Sequence, residues 1–276
     1  MQIIKEFEDY LIKKGNSINT VETYVTQVKD FIRWYRIKFD KDFENEMLRT
    51  NFLDHRKFLK EVRENALSSI KVKTHALKKF NIFLIEKNYQ RYQVILKQDI
   101  INLYNSSLEI YVPTDEEVNE FKNRVLEEEG IRDYAIVTLL ADTGLKISEC
   151  LQLRLEDVDL SSRQILVRDN SSNMIRIVPI SKDTVTVIKS YLEERPNDLN
   201  IDYLFISKFK KVINRTRVNQ IFNKHSNTIT PQTLRHYYCI KQLKMGLAIE
   251  DLAKRVGNIS IQQTRKYEKL IKDMNL

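Results

Sequence analysis

Thr230-Pro231-Gln232-Thr233-Leu234-Arg235-His236, followed 32 residues beyond Arg235 by Tyr267 in Arg265-Lys266-Tyr267-Glu268, is the stretch on which the reading of this chain turns. An arginine can hold a phosphate through two parallel N–H bonds, and a tyrosine hydroxyl can attack one. The pair suggests an enzyme that cuts DNA by joining itself to it. The surrounding charge agrees. Residues 205–276 carry 15 Lys/Arg against 4 Asp/Glu, a net of +11, and residues 1–110 carry a net of +5. Residues 111–204 between them carry a net of −8. Such blocks point to a polyanion contacted by the first and last thirds of the chain.

With 5 Gly and 4 Pro among 276 residues, and long periodic stretches between them, the chain reads as mainly helical. Its length suffices for two domains with cores of their own. Cys150 and Cys239 stand far apart in no metal-type spacing, so reduced thiols and a cytoplasmic location are the expectation. The N-terminus places charges where a secretory leader needs an apolar run, and no apolar stretch is long enough to span a membrane. His55, His75, His225 and His236 also lack metal-type spacing, and no metal site is expected. His236 reads as a core-side hydrogen-bonder, and Trp34 as core.

Working outward, residues 1–90 read as a small helical domain. A helix over 2–14 carries Ile3, Ile4, Phe7, Tyr10 and Leu11 and stops near Gly15. Asn19 with Glu22 makes a capping-box start for a second, with Val21, Tyr24, Val28, Phe31, Ile32 and Tyr35 on one face. Thr50 can cap a third, carrying Phe52, Leu53, Phe58, Leu59 and Val62. A fourth, from about Ser68, carries Val72, Leu77, Phe80, Phe83 and Leu84. Lys71, Lys73, Lys78 and Lys79 share its other face, with no acid between Leu67 and Ile85, as a phosphate-tracking surface requires. Residues 91–112 are weakly patterned and read as a linker. Residues 113–276 read as the second domain. Thr114 with Glu117 caps a helix from Asp115 to about Glu127. Helices follow over 131–142, ending at Gly144, and over 147–155. Residues 164–168 and 174–180 alternate as a β-hairpin with its turn at Asp169-Asn170-Ser171-Ser172-Asn173. Further helices fit 184–194, 215–224, 232–244, 248–256 and 260–271.

Thr143-Gly144-Leu145-Lys146-Ile147-Ser148-Glu149 sets a lysine at a helix start just after a tight glycine turn, beside backbone N–H groups suited to a phosphate. Lys146 and Glu149, one turn apart, are placed to pair. This segment, Asn19-Thr20-Val21-Glu22-Thr23-Tyr24, Arg176-Ile177-Val178-Pro179-Ile180, and the opening stretch with Val256-Gly257-Asn258 and Tyr267 occur in the order of the tyrosine recombinases. The chain resembles that phage-integrase, Xer-like family, including its transposon-borne members, over almost its whole length. The separations from Gln232 through Arg235 and Asn258 to Tyr267 are the specific part.

The resemblance implies a two-domain C-shaped clamp: an N-terminal helical core-binding domain and a mostly helical catalytic domain with a small β-hairpin sheet. It implies a strand exchange without metal, ATP or cofactor. Tyr267 would attack a DNA phosphate, form a 3′-phosphotyrosyl bond and release a 5′-hydroxyl. Arg235 would grip the non-bridging oxygens, and Glu149 would hold its own helix in place. The partner would be double-stranded DNA with an inverted-repeat core site, bound by a dimer and exchanged in a tetramer. Four departures mark the site as a variant. The family's first arginine is Lys146, which keeps the charge and loses the fork. Its second-box histidine is Gln232, and the later histidine or tryptophan is Asn258. The hairpin lysine falls at or beside Ser171, with Arg168 and Arg176 the nearest cations. Lys146, Gln232 and Asn258 each keep an N–H donor, so Tyr267, Arg235, Lys146, Gln232, Asn258 and Arg168 form the expected catalytic set. Lys71, Lys73, Lys78, Arg176, Arg215 and Arg217 are the expected DNA contacts. Leu270, Ile271 and Met274 are placed to dock on a neighbouring protomer, the alternative being a frayed end.

Two other readings compete. One keeps the fold and drops the chemistry, leaving an architectural DNA-binding protein. The other takes Ala248–Gly257 with Ile261–Tyr267 as the helix-turn-helix of a transcription regulator, which leaves the Lys146 segment, the hairpin and the Thr230–Arg235 run unexplained.

Overall fold

The computed structural model describes residues 2–104, 110–169, 174–196, 201–258 and 260–274. The chain divides into two compact units, Met1–Leu108 and Glu109–Leu276, each around its own apolar core.

The first unit is helical: α1 (Gln2–Lys13), α2 (Ile18–Phe39), α3 (Arg49–Glu61), α4 (Leu67–Glu86) and α5 (Lys97–Tyr104). Apolar residues at helical spacing turn one face of each longer helix inward. Phe7, Phe31, Phe80 and Phe83 fill the centre, and the Phe7 ring meets Phe80 edge-on at 5.1 Å. Trp34 is buried among them. Several details differ from the sequence expectation. Ser17 caps α2 in place of Asn19, its Oγ accepting from the Thr20 N–H, so the helix starts earlier. Thr50 lies inside α3, which starts after Leu48 without a side-chain cap. Val62 and Val72 face solvent, and Ile70 takes the core position. Residues 97–104 form α5 within the stretch expected as a linker. Its anchor is ionic: the buried Asp99 carboxylate accepts from Arg49 at 2.8 Å and from the Leu96 N–H at 2.8 Å. Apolar periodicity is blind to such an attachment.

The second unit begins with α6 (Asp115–Glu129) and α7 (Ile131–Thr143). A complete capping box, Thr114 with Glu117, starts α6. Helix α7 is apolar almost all round and forms the centre of the unit. Gly144, at φ +62°, closes it in the left-handed region, where an added Cβ would fall on the Tyr238 ring. After α8 (Ile147–Gln152) comes a three-stranded antiparallel sheet in the order β1 (Val158–Asp159), β2 (Gln164–Arg168), β3 (Met174–Pro179). Ile165 pairs with Val178, and a bulge lies between Val167 and Arg168. The two-residue β1 is too short to show alternation. The hairpin turn at Asn170–Asn173, with Ser171, lies outside the described residues. Helices α9 (Lys182–Glu194), α10 (Arg215–His225), α11 (Pro231–Lys244), α12 (Ile249–Val256) and α13 (Gln262–Met274) complete the unit.

Thr230 caps α11: its Oγ1 accepts from the Thr233 N–H, and Thr233 Oγ1 accepts in return from the Thr230 N–H. Pro231 at the first helical position is preorganised for that start. Helices α11, α12 and α13 share a small core of Tyr238, Ile240, Leu252, Val256 and Tyr267. Leu270 and Ile271 pack onto that core within the same chain, and so differ from the docking tail expected. Among the described residues no helix is long and apolar enough to cross a membrane.

Candidate active site

The capped start of α11 presents Gln232, Arg235 and His236 on successive positions of one helical face. The Gly144 turn brings the start of α8 alongside, and the turn after α12 brings Asn258. Together with α10 and α13 these segments enclose a cavity of about 640 Å³, whose wall includes Lys146, Arg215, Gln232, Arg235, Asn258, Lys266 and Tyr267.

Arg235 is only 5% exposed. Its Nη1 donates to the Gly144 carbonyl at 2.6 Å, and its Nη2 to the Val256 carbonyl at 2.6 Å and to Asn258 Oδ1 at 2.9 Å. Two helix C-terminal carbonyls thus hold the cation, where helix dipoles favour positive charge. Asn258 connects this grip to α13, its Nδ2 donating to the buried Thr264 hydroxyl at 2.9 Å. Asn258 was expected to aim its N–H at a phosphate. In the structure its oxygen positions Arg235 and its amide nitrogen binds Thr264.

Tyr267 is 2% exposed, and burial, with Cys239 beside it, pushes its phenol above the ordinary tyrosine range. Its hydroxyl lies 2.8 Å from His236 Nδ1. His236 Nε2 lies 3.3 Å from Gln232 Nε2. Burial first, then the nearby Lys266 and Arg235, lowers the imidazole pKa to about 4, so it is neutral at pH 7. Lys266 sits over the Tyr267 ring at 4.9 Å, and burial lowers its pKa too.

Lys146 precedes α8 with its side chain 53% exposed and its Nζ 3.8 Å from Glu149 Oε1. The closer partner of Glu149 is Arg176, whose Nη2 donates to Oε2 at 2.8 Å and Nη1 to Oε1 at 3.2 Å. Arg176 Nε also donates to the Arg255 carbonyl at 2.8 Å. Burial raises the Glu149 carboxyl, but the Arg176 bonds outweigh it and the pKa ends below the ordinary range. Glu149 also accepts from the Lys146 N–H at 2.9 Å, fixing the turn that carries Lys146.

Of the expected catalytic set, Tyr267, Arg235, Lys146, Gln232 and Asn258 meet at one cavity. Arg168 does not: its Nε donates to Asp157 at 2.5 Å, and it lines a separate recess with Asp157 and Tyr203. Of the expected DNA contacts, Arg215 reaches the cavity. Arg176 is a strut between β3, α8 and α12, its side chain only 9% exposed, because an inward-facing carboxylate demands a cation there. Arg217 pairs with Glu129 at 2.7 Å. Lys73 pairs with Asp30 at 2.8 Å and donates to Gln27, so its charge is neutralised locally, while Lys71 and Lys78 are half-buried on the same helix. Two neighbours of Tyr267 stand outside the expected site set: Lys266, which lines the cavity, and His236, read from the sequence as a core-side hydrogen-bonder and here bonded to Tyr267. The four-residue spacing from Gln232 to His236 was the available signal, since it stacks the two on one helix face.

The description "Phage integrase family" matches residues 112–273, and "Phage integrase, N-terminal SAM-like domain" matches residues 4–88. The TnP I resolvase of Bacillus thuringiensis is 36% identical over 273 residues, which are 97% of this chain and 95% of that protein. Tyrosine recombinase XerA of Pyrococcus horikoshii is 28% identical over 277 residues, covering 97% and 89%. Among solved structures, the Tn1549 transposon integrase in complex with a circular intermediate DNA superposes with a TM-score of 0.75 at 17% identity, covering 96% of this chain and 94% of that one. This last likeness speaks to the fold, and the sequence matches speak to descent. The chain belongs to the phage integrase family of tyrosine recombinases.

Proposed function

We propose that this protein is a site-specific recombinase that cuts and rejoins double-stranded DNA through a 3′-phosphotyrosyl intermediate on Tyr267. The observation that carries the reading is the convergence of Tyr267, Arg235, Lys146, Gln232 and Asn258, from four separate stretches of chain, on one cavity. Tyr267 attacks the phosphorus, and the 5′-oxygen leaves. Arg235 faces the non-bridging oxygens and stabilises the charge that builds on them. Lys146, the most exposed cation of the set, binds the same phosphate and supplies the proton to the leaving 5′-oxygen. The bond energy stays in the phosphotyrosine, so no cofactor or metal enters the cycle. Tyr267 and Arg235, although nearly buried, both line the cavity that the phosphate would enter.

The reading extends to the partners. Arg215 at the cavity and Lys71 and Lys78 of α4 contact duplex DNA, two protomers occupy an inverted-repeat site, and four exchange strands in the cytoplasm. Near full-length similarity to a resolvase favours resolution as the natural event. The test uses a nicked suicide duplex carrying a site selected from a random pool by binding. A band shifted on a denaturing gel, and lost in Tyr267→Phe, is the expected result. Tight, salt-sensitive binding with no covalent band supports instead a silent DNA-binding protein.

A further inference from the structure

A tyrosine attacks phosphorus only as its proton leaves, and a group must receive that proton. Gln232, which stands where the family carries a histidine, has an amide that cannot take it at neutral pH. One turn further along α11, His236 Nδ1 lies 2.8 Å from the Tyr267 hydroxyl, within transfer distance. On the other side of the ring, Nε2 faces the Gln232 amide at 3.3 Å. Amide oxygen and nitrogen exchange places by a half-turn. With the oxygen toward the ring, Gln232 accepts from Nε2–H and leaves the Nδ1 lone pair aimed at the phenol. The groups facing the imidazole are Arg235 from α11 and Lys266 and Tyr267 from α13, with Cys239 beside Tyr267. Among the described residues no carboxylate faces the ring, so it rests neutral and able to accept.

We propose that His236 is the general base for Tyr267 and that Gln232, in place of the family's histidine, fixes its tautomer. The inference rests on Tyr267 being the nucleophile. In cleavage the Tyr267 O–H bond breaks and its proton passes to Nδ1. The phenolic oxygen bonds to phosphorus, the bond from phosphorus to the 5′-oxygen breaks, and that oxygen takes a proton from the Lys146 ammonium. Rejoining reverses each transfer. An imidazolium flanked by Arg235 and Lys266 gives its proton back readily, which suits a reaction that must run in both directions.

The experiment uses a nicked duplex in which sulfur replaces the bridging 5′-oxygen, because a thiolate leaves without a proton donor. Adduct formation is timed for the wild type, His236→Asn, Gln232→Glu and Lys146→Ala, on this duplex and on the ordinary one, from about pH 3 to pH 9, so that the limb expected near the His236 pKa is observed. Asparagine places an amide near the Nδ1 position but cannot act as a base. His236→Asn is expected to be slower by about 10²-fold or more on both duplexes, with a rate that climbs with hydroxide and reaches no plateau. Lys146→Ala is expected to be slow on the ordinary duplex and partly restored on the sulfur one, the remaining deficit being its lost contact with the phosphate. Gln232→Glu holds the same tautomer while stabilising the imidazolium, so the low-pH limb of its profile should move upward. That shift carries the test if His236→Asn does not fold. Wild-type rates and an unchanged profile in His236→Asn, or an unmoved limb in Gln232→Glu, overturn the base assignment and leave the nucleophile intact. A wild type that forms no adduct on the sulfur duplex removes the nucleophile reading itself.

Discussion

Replacing Asn258 with alanine removes one of the three acceptors that hold Arg235 and the donor that reaches Thr264. Gly144 and Val256 still accept from the guanidinium, so the cation stays in place with one N–H unpartnered. A hydrogen bond to a charged group is worth about 1.5–3 kcal/mol, and the Thr264 bond about 1 kcal/mol. Asn258 borders the cavity, so water replaces part of this, and a net loss of about 1–2 kcal/mol is expected. For a unit of this size that lowers the melting temperature by roughly 2–8 °C. The catalytic effect should be larger than the stability effect suggests, because a guanidinium held by two acceptors instead of three can swing about them and presents its remaining N–H groups less steadily. Adduct formation on a suicide duplex should fall about 10–100-fold. Duplex affinity, which depends on total charge, should stay within about twofold. Asn258→Asp keeps the acceptor and should recover the melting temperature, yet cut slowly because it brings a negative charge toward the phosphate. If Asn258→Ala melts within about 1 °C of wild type and forms adduct within about twofold, the claim that Asn258 positions Arg235 is wrong.

Three further outcomes follow from the same geometry. Arg176→Met leaves the Glu149 carboxylate buried without its partner and should cost about 3–5 kcal/mol in urea unfolding, whereas Arg176→Met with Glu149→Gln should recover at least half of that; equal losses in both would refute the pairing. Gly144→Ala sets a Cβ at φ +62° against the Tyr238 ring, so a loss of about 2–4 kcal/mol is expected, and a change under about 0.5 kcal/mol would contradict it. Glu129 is held down to about 2, first by its hydrogen bond from Lys224 and then by His225. A carboxyl depressed in the folded state adds stability above its unfolded pKa and loses it as pH falls through the folded one. Wild type should therefore exceed Glu129→Gln by about 1–3 kcal/mol at pH 7, with the gap closing between about pH 4.5 and pH 2; a gap independent of pH would count against this.

Apart from α5, the helices were legible because most hide an apolar face at a spacing of three to four residues, and the hairpin because Ile165, Val167 and Val178 alternate with less buried neighbours. Tyr267 and Arg235 were legible as chemistry from their types and separation. What escaped was ionic or depended on packing. Helix α5 is attached by Asp99 to arginines from α3, and no periodicity reports that. Arg176 reads as a surface cation on an edge strand until the sheet packs beside α8 and turns it onto Glu149. Arg168 and Arg217 are likewise claimed by Asp157 and Glu129, carboxylates 11 and 88 residues away in the chain. His236 was legible as a buried hydrogen-bonder, but its partner sits 31 residues away on α13, and only the packing of α11 against α13 brings the two together.

The proposed reaction joins Tyr267 covalently to DNA. It is tested most directly by trapping the adduct on a suicide duplex, digesting protein and DNA, and sequencing the nucleotide-bearing peptide by mass spectrometry. A 3′-phosphoryl nucleotide on Tyr267 is expected. A nucleotide on any other residue, or strand cleavage that leaves the protein unmodified, would contradict it.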